Sequence, residues 1–208
     1  MNLKPKDYVG GSPLDPEAPP HDFVSLDDYP FGLDLKYARA DNFLGHAFYP
    51  MEKAFLQMPT AEALLQAHQR LEKSGFGILV FDGYRPWSVT KQFHDEANEI
   101  QRGFLANPAQ GSTHNRGCAV DCTLFRLKDG AEVRMPSEFD EMTDAAWSAY
   151  AGGTPEERRV RDLLITTMHE VGFRVLKNEW WHFNHSSATK YPIYDWGFPE
   201  ISRAISPG

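Results

Sequence analysis

The sequence predicts an α+β fold in which a central antiparallel sheet carries flanking helices. Three observations predict it. Segment 118–124 alternates, with Cys118, Val120, Cys122 and Leu124 on one face and Ala119, Asp121 and Thr123 on the other, the period of a strand. Residues 154–171 repeat apolar positions at three and four, the period of a helix. Helical and extended stretches interleave without the regular strand-helix-strand rhythm of a doubly wound sheet. At 208 residues the chain is long enough for one well-buried core, so a single domain is expected over 1–208.

The elements follow in order. Residues 1–22, rich in Pro, Gly and Asp, read as an extended N-terminal arm. Segment 33–48 has no clear period. From Thr60, a candidate N-cap, Ala61, Leu64, Leu65, His68 and Leu71 mark a helix that Gly75 stops. His68 on that face reads as a satisfied, half-buried histidine rather than a ligand. The apolar run 76–81 is a buried strand ending at Asp82-Gly83. Pro86 sits ahead of a second helix spaced by Val89, Phe93 and Ile100. A loop over 103–111 leads to the alternating strand 118–124. Thr154-Pro155-Glu156-Glu157 is a capping box with proline at N1, opening a helix whose stripe is Val160, Leu163, Leu164, Thr167, Met168 and Val171, with Gly172 closing it. Strands over 173–175 and 180–183 complete a hairpin turning at Lys177-Asn178.

Composition excludes several classes of function. Apolar residues at 41% and aromatics at 13% argue against disorder despite 15 prolines. A formal charge of −8 repels a phosphate backbone, and no Lys/Arg run interleaves with aromatics, so no nucleic-acid partner is expected. No stretch approaches the roughly 18 apolar residues of a membrane span, and the N-terminus lacks an apolar signal core. A cytoplasmic location is the expectation. Cys118 and Cys122, four apart on a strand, stand about 13 Å apart, too far for a disulfide. They read as buried, reduced thiols.

The residues able to do chemistry form a split set: His114 and Asp121 in STHNRGCAVD, and Glu179 and His182 in EWWH. Two imidazoles, one ligating carboxylate and one spare carboxylate are the components of a catalytic zinc site, in which three protein ligands leave a position for water. The seven-residue step from His114 to Asp121 would divide them between the faces of a straight strand, so a turn over 115–117 is required, with Gly117 free to take a positive φ. Glu179 and His182, three apart, need a bulge or a longer reach by the glutamate. Arg85, held in a Gly-Tyr-Arg-Pro turn, is read equally as an oxyanion donor or as the ion-pair partner of Asp82. No rival constellation competes: His169-Glu170 begins like HExxH, but position 173 is phenylalanine.

Across most of its length the chain resembles the VanX-type D-alanyl-D-alanine dipeptidases, zinc peptidases. The likeness lies in LDLKYARADNF (33–43), FDGYRP (81–86), STHNRGCAVDCTL (112–124), EFD (138–140) and EWWHF (179–183). The resemblance implies an α+β fold shared with D-Ala-D-Ala carboxypeptidases and hedgehog N-terminal domains. It implies one zinc held by His114, Asp121 and His182, general base Glu179 and a transition-state arginine at Arg85. It further implies a small pocket for a free D,D-dipeptide, with Asp140 taking the amine and Ser112 and Tyr37 beside it. Cys118 and Cys122 stand where the family more often has a serine and an aliphatic residue, and the proline-rich N-terminus is longer. Two other activities fit the same parts: a zinc amidase acting on longer peptidoglycan peptides, or a zinc-containing binding module without catalysis.

Overall fold

A computed structural model describes residues 8–9 and 22–205. In chain order its elements are β1 (Tyr8–Val9), β2 (Phe23–Ser25), β3 (Gly32–Leu33), β4 (Phe55–Gln57), α1 (Met58–Glu72), β5 (Phe76–Asp82), α2 (Trp87–Glu96), α3 (Glu99–Arg102), β6 (Ala119–Arg126), α4 (Pro155–Glu170), β7 (Phe173–Leu176), β8 (Glu179–His185), β9 (Ile193–Tyr194) and α5 (Phe198–Ile205). Most of the arm expected over 1–22 lies outside the described residues. Of it, β1 pairs in parallel with β9.

The main sheet has the order β3-β5-β6-β8-β7. Its centre is antiparallel, as expected, whereas the edge strand β3 runs parallel to β5. The chain between those two passes through β4 and α1, a crossover long enough to return in the same direction.

One face of the sheet packs on α1 and α4. Val120, Cys122 and Leu124 of β6 meet Ile78, Val80 and Phe183 there, beneath Leu64 and Leu71 of α1 and Val160, Leu164 and Met168 of α4. Burying each larger side chain contributes about 1.5–3 kcal/mol, and the strict alternation of β6 commits Ala119, Asp121 and Thr123 to the opposite face. That face lies toward a second, aromatic cluster that includes Tyr37, Tyr49, Tyr84, Phe93, Trp196 and Phe198.

The capping box of α4 forms as expected: Thr154 Oγ1 accepts from Glu157 N at 3.2 Å and Glu157 Oε2 accepts from Thr154 N at 2.7 Å. The hairpin likewise turns at Lys177-Asn178. His68 is buried and satisfied, its Nδ1 accepting from Ile78 N at 3.1 Å.

Three expectations are corrected. Thr60 is not an N-cap: α1 starts at Met58 with proline in its first turn, and the Thr60 hydroxyl points inward to Ser187 Oγ at 3.2 Å. The second helix does not run on to Ile100, because Ala97 is extended; Ile100 falls on the separate turn α3, 73% exposed. Cys118 precedes β6, just after the left-handed turn at Gly117, so the alternation does not reach it and it packs in the aromatic cluster. Cys118 and Cys122 are both free and buried.

Candidate active site

Two irregularities in the sheet turn alternating residues toward one place. Between β5 and β6 the register steps from Val80 opposite Cys122 to Asp82 opposite Asp121, leaving Phe81 as an extra residue. Asp82 therefore faces the same side as Asp121, which itself pairs with His182 of β8. Between β7 and β8 the register steps from Val175 opposite Phe183 to Leu176 opposite Glu179, so residues 180–182 bulge out. In a regular strand Glu179 would share the helix-facing side of Phe183; the bulge returns it to the side of His182.

His114 arrives from a single turn of 3-10 helix, Thr113–Arg116. Ser112 Oγ accepts from His114 N at 3.2 Å and Asn115 Oδ1 accepts from Ser112 N at 2.7 Å. Gly117 ends the turn at φ 69°, where an added Cβ would lie 2.5 Å from the Phe23 ring. This is the turn needed to bring His114 round to Asp121. The buried Asn115 also donates to Arg85 O and Thr90 Oγ1, both at 2.8 Å, tying it to the Arg85 turn.

His114, Asp121 and His182 are buried and their ligating atoms converge. His114 Nδ1 donates to Gly83 O at 2.6 Å, leaving Nε2 as the lone-pair nitrogen. His182 Nε2 donates to Asn184 Oδ1 at 3.0 Å, leaving Nδ1. These two nitrogens and Asp121 Oδ1 lie 3.0, 3.0 and 3.3 Å from one another. Three lone-pair atoms at that spacing repel unless a cation sits among them. Ligands about 2.0–2.1 Å from a tetrahedral ion are roughly 3.3 Å apart, so the trio fits zinc. The two outer acceptors, Gly83 O and Asn184 Oδ1, orient the rings in the way that metal-binding histidines require. Burial works to raise the Asp121 pKa, but His114 and His182 outweigh it and hold the carboxyl far below its usual range. Asp121 in turn raises His182 against its burial, so a proton competes with a metal for this position.

Glu179 Oε2 lies 4.0 Å from His182 Nδ1, and burial pushes its pKa up to about 7. Arg85 Nε and Nη2 both donate to Asp82 Oδ2, at 3.0 and 2.7 Å, while Nη2 lies 3.6 Å from Asp121 Oδ2. The guanidinium packs over Phe93 and Tyr37, 4.6 and 5.1 Å from the ring centres. The ion pair with Asp82 is present, and the same side chain lines the cavity. Asp140 adopts φ 58° and accepts from Tyr37 Oη at 2.9 Å. Burial lifts its pKa well above the carboxylate range, by more than the Tyr37 hydroxyl and the Arg85 charge offset.

All eight residues singled out in the sequence line a single cavity of about 350 Å³: Tyr37, Arg85, Ser112, His114, Asp121, Asp140, Glu179 and His182. That volume lies at the small end for ligand sites. Leu105, Met142 and Trp181 add apolar wall. Asn184 is absent from the residues expected from the sequence, and Asn115 enters there only as part of the turn over 115–117. Asn184 had a signal, since it follows His182 by two on a strand and so shares its face; Asn115 had none beyond its place in the His114 block.

Along most of its length the chain matches a known family. The family model described as D-ala-D-ala dipeptidase, Peptidase_M15, matches residues 24–203. The D-alanyl-D-alanine dipeptidase of Escherichia coli K12 is 32% identical over 176 residues, covering 85% of this chain and 88% of the relative. That of Enterococcus faecium is 34% identical over 184 residues, covering 77% and 90%, and that of Streptomyces coelicolor 32% over 185 residues, covering 78% and 90%. With a match over most of its length, metal-binding residue types brought together at its centre and relatives above 30% identity, this chain belongs to the D-ala-D-ala dipeptidase family of metallopeptidases, Peptidase_M15.

Proposed function

We propose that the protein hydrolyses D-alanyl-D-alanine to two D-alanines with one zinc ion held by His114 Nε2, Asp121 Oδ1 and His182 Nδ1. The observation that carries this reading is a glutamate, its side chain 12% exposed, 4.0 Å from a ligating nitrogen in a small cavity that also holds a guanidinium and a second carboxyl group. A zinc ion held there would supply a Lewis acid and would lower the pKa of a bound water to about 7. Glu179 accepts the proton of the attacking water and returns it to the departing amine nitrogen. Arg85 donates to the carbonyl oxygen as charge builds on it. Asp140, steadied by the Tyr37 hydroxyl, takes the substrate ammonium, a cation that favours its charged form. Ser112 keeps its hydroxyl hydrogen for the ligand because its oxygen caps His114 N.

The names of the relatives support the substrate, and a 350 Å³ cavity favours a dipeptide over a longer peptide. Two free, buried cysteines accord with a reducing, cytoplasmic compartment. Among the described residues, no helix is long and apolar enough to cross a membrane. The deciding experiment measures zinc per chain together with D-alanine release from D-Ala-D-Ala, its N-acetyl derivative and a peptide extended at the N-terminus. Cleavage of the free dipeptide alone is expected. Equal cleavage of the blocked or extended peptides would favour an amidase, and zinc binding without turnover a binding module.

A further inference from the structure

The long side chain of Arg85 has to point one way for its charge to serve the cavity, and its contact with Asp82 does not by itself achieve this. Nε and Nη2 converge on a single oxygen, Asp82 Oδ2, rather than forking onto both oxygens of the carboxylate. A carboxylate gripped at one oxygen can still turn about its Cβ–Cγ bond and carry the guanidinium with it. The second oxygen, Oδ1, accepts from Tyr49 Oη at 2.7 Å, and that bond stops the rotation. Asp82 and Tyr49 are both buried.

Tyr49 is itself fixed at two points. Its backbone N–H donates to Tyr37 O at 3.0 Å, and its ring packs 4.5 Å from Phe198 of α5. It therefore joins the segment that carries Tyr37, beside Asp140, to the carboxylate that aims Arg85. We propose that Tyr49 is a positioning residue which, acting through Asp82, sets the direction of the Arg85 guanidinium. The inference rests on the proposed function, in which Arg85 stabilises charge on the carbonyl oxygen.

Two measurements test it. Tyr49→Phe keeps the ring and removes one hydrogen bond to a charged acceptor, so kcat on D-Ala-D-Ala is expected to fall about 10-fold, with KM, zinc affinity by chelator competition and Tm close to wild type. In an Arg85→Lys background, which keeps the positive charge beside Asp82 but loses the planar fork, the same change is expected to have almost no further effect. A kcat within twofold of wild type, an equal loss in both backgrounds, or a loss that follows zinc affinity or Tm overturns the proposal. The second measurement needs no turnover: the Arg85 Nε–H resonance in a 15N spectrum is expected to be protected from solvent exchange in the wild type and to lose protection in Tyr49→Phe. Unchanged protection overturns the positioning role. Lost protection in a protein that releases no D-alanine overturns the proposed function instead and leaves the positioning role standing.

Discussion

Glu179 Oε2 stands 4.0 Å from His182 Nδ1, although the residues are three apart on one strand and regular alternation would place them on opposite faces. The bulge over 180–182 puts them on the same side. In the proposed reaction this distance lets the carboxylate reach a water beside the metal without binding the metal itself. Glu179→Gln keeps the shape and removes the proton acceptor, so kcat is expected to fall about 10²- to 10⁴-fold with zinc content unchanged. Turnover close to wild type, with zinc measured in the same sample, would remove Glu179 from the chemistry.

Asn184 is expected to matter for metal binding without touching the metal. Its Oδ1 holds His182 Nε2–H at 3.0 Å and so presents Nδ1 as the lone pair. Asn184→Ala should weaken zinc binding about 10- to 100-fold, as read by competition with a chromophoric chelator. An unchanged affinity would mean that the surrounding packing alone orients the ring.

Asp140→Asn separates binding from chemistry. Asparagine tolerates the positive φ of this position and can still accept from Tyr37, so the fold should persist. Without the negative charge, KM for D-Ala-D-Ala should rise about 10-fold or more, while kcat changes little. A desamino substrate analogue should bind wild type and variant equally; a variant that weakens both ligands alike would refute the amine contact.

The raised pKa of Glu179 makes the zinc-free protein sensitive to pH in a definite direction. The unfolded glutamate loses its proton near 4.5, the folded one near 7, so folding takes up a proton between these values. The associated stability is fully present below about pH 4.5 and is lost as pH rises through 7, an effect on the order of 3 kcal/mol. The urea midpoint of chelator-treated wild type should therefore fall relative to Glu179→Gln between pH 4.5 and 7.5. Parallel profiles for the two proteins would contradict the assignment. His182, also raised, contributes with the same sign, and because Glu179 is one cause of its shift the variant loses that part too, so the comparison reads the two groups together.

Gly117→Ala should damage the site from outside it. The residue holds φ 69°, and a methyl group there would lie 2.5 Å from Phe23 Cε1 and 3.2 Å from Gln57 Cγ. Strain and overpacking together should cost about 2–4 kcal/mol, visible in urea denaturation. Zinc affinity should fall with it, because the same turn delivers His114. A variant of normal stability and normal zinc affinity would show that the turn adapts.

The features that repeat along the chain could be read without the structure. The capping box of α4 lies within four consecutive residues, and the alternation of β6 placed Asp121 opposite the apolar face because a strand has only two sides. The residue types of the proposed metal-binding trio and of Glu179 were also visible, since few side chains can bind a metal or carry a proton.

The sequence alone determined which groups the protein brings to its reaction; the tertiary structure decided which way they point. The extra Phe81 and the bulge over 180–182 are register shifts, and a register exists only once a partner strand is in place. The same holds for Asn184 holding His182, for Asn115 tying the His114 turn to the Arg85 turn, and for Tyr49 locking Asp82 from 33 positions away. Hydrogen bonds between distant segments leave no period in a sequence, because they depend on the directions of single atoms after the sheet has closed.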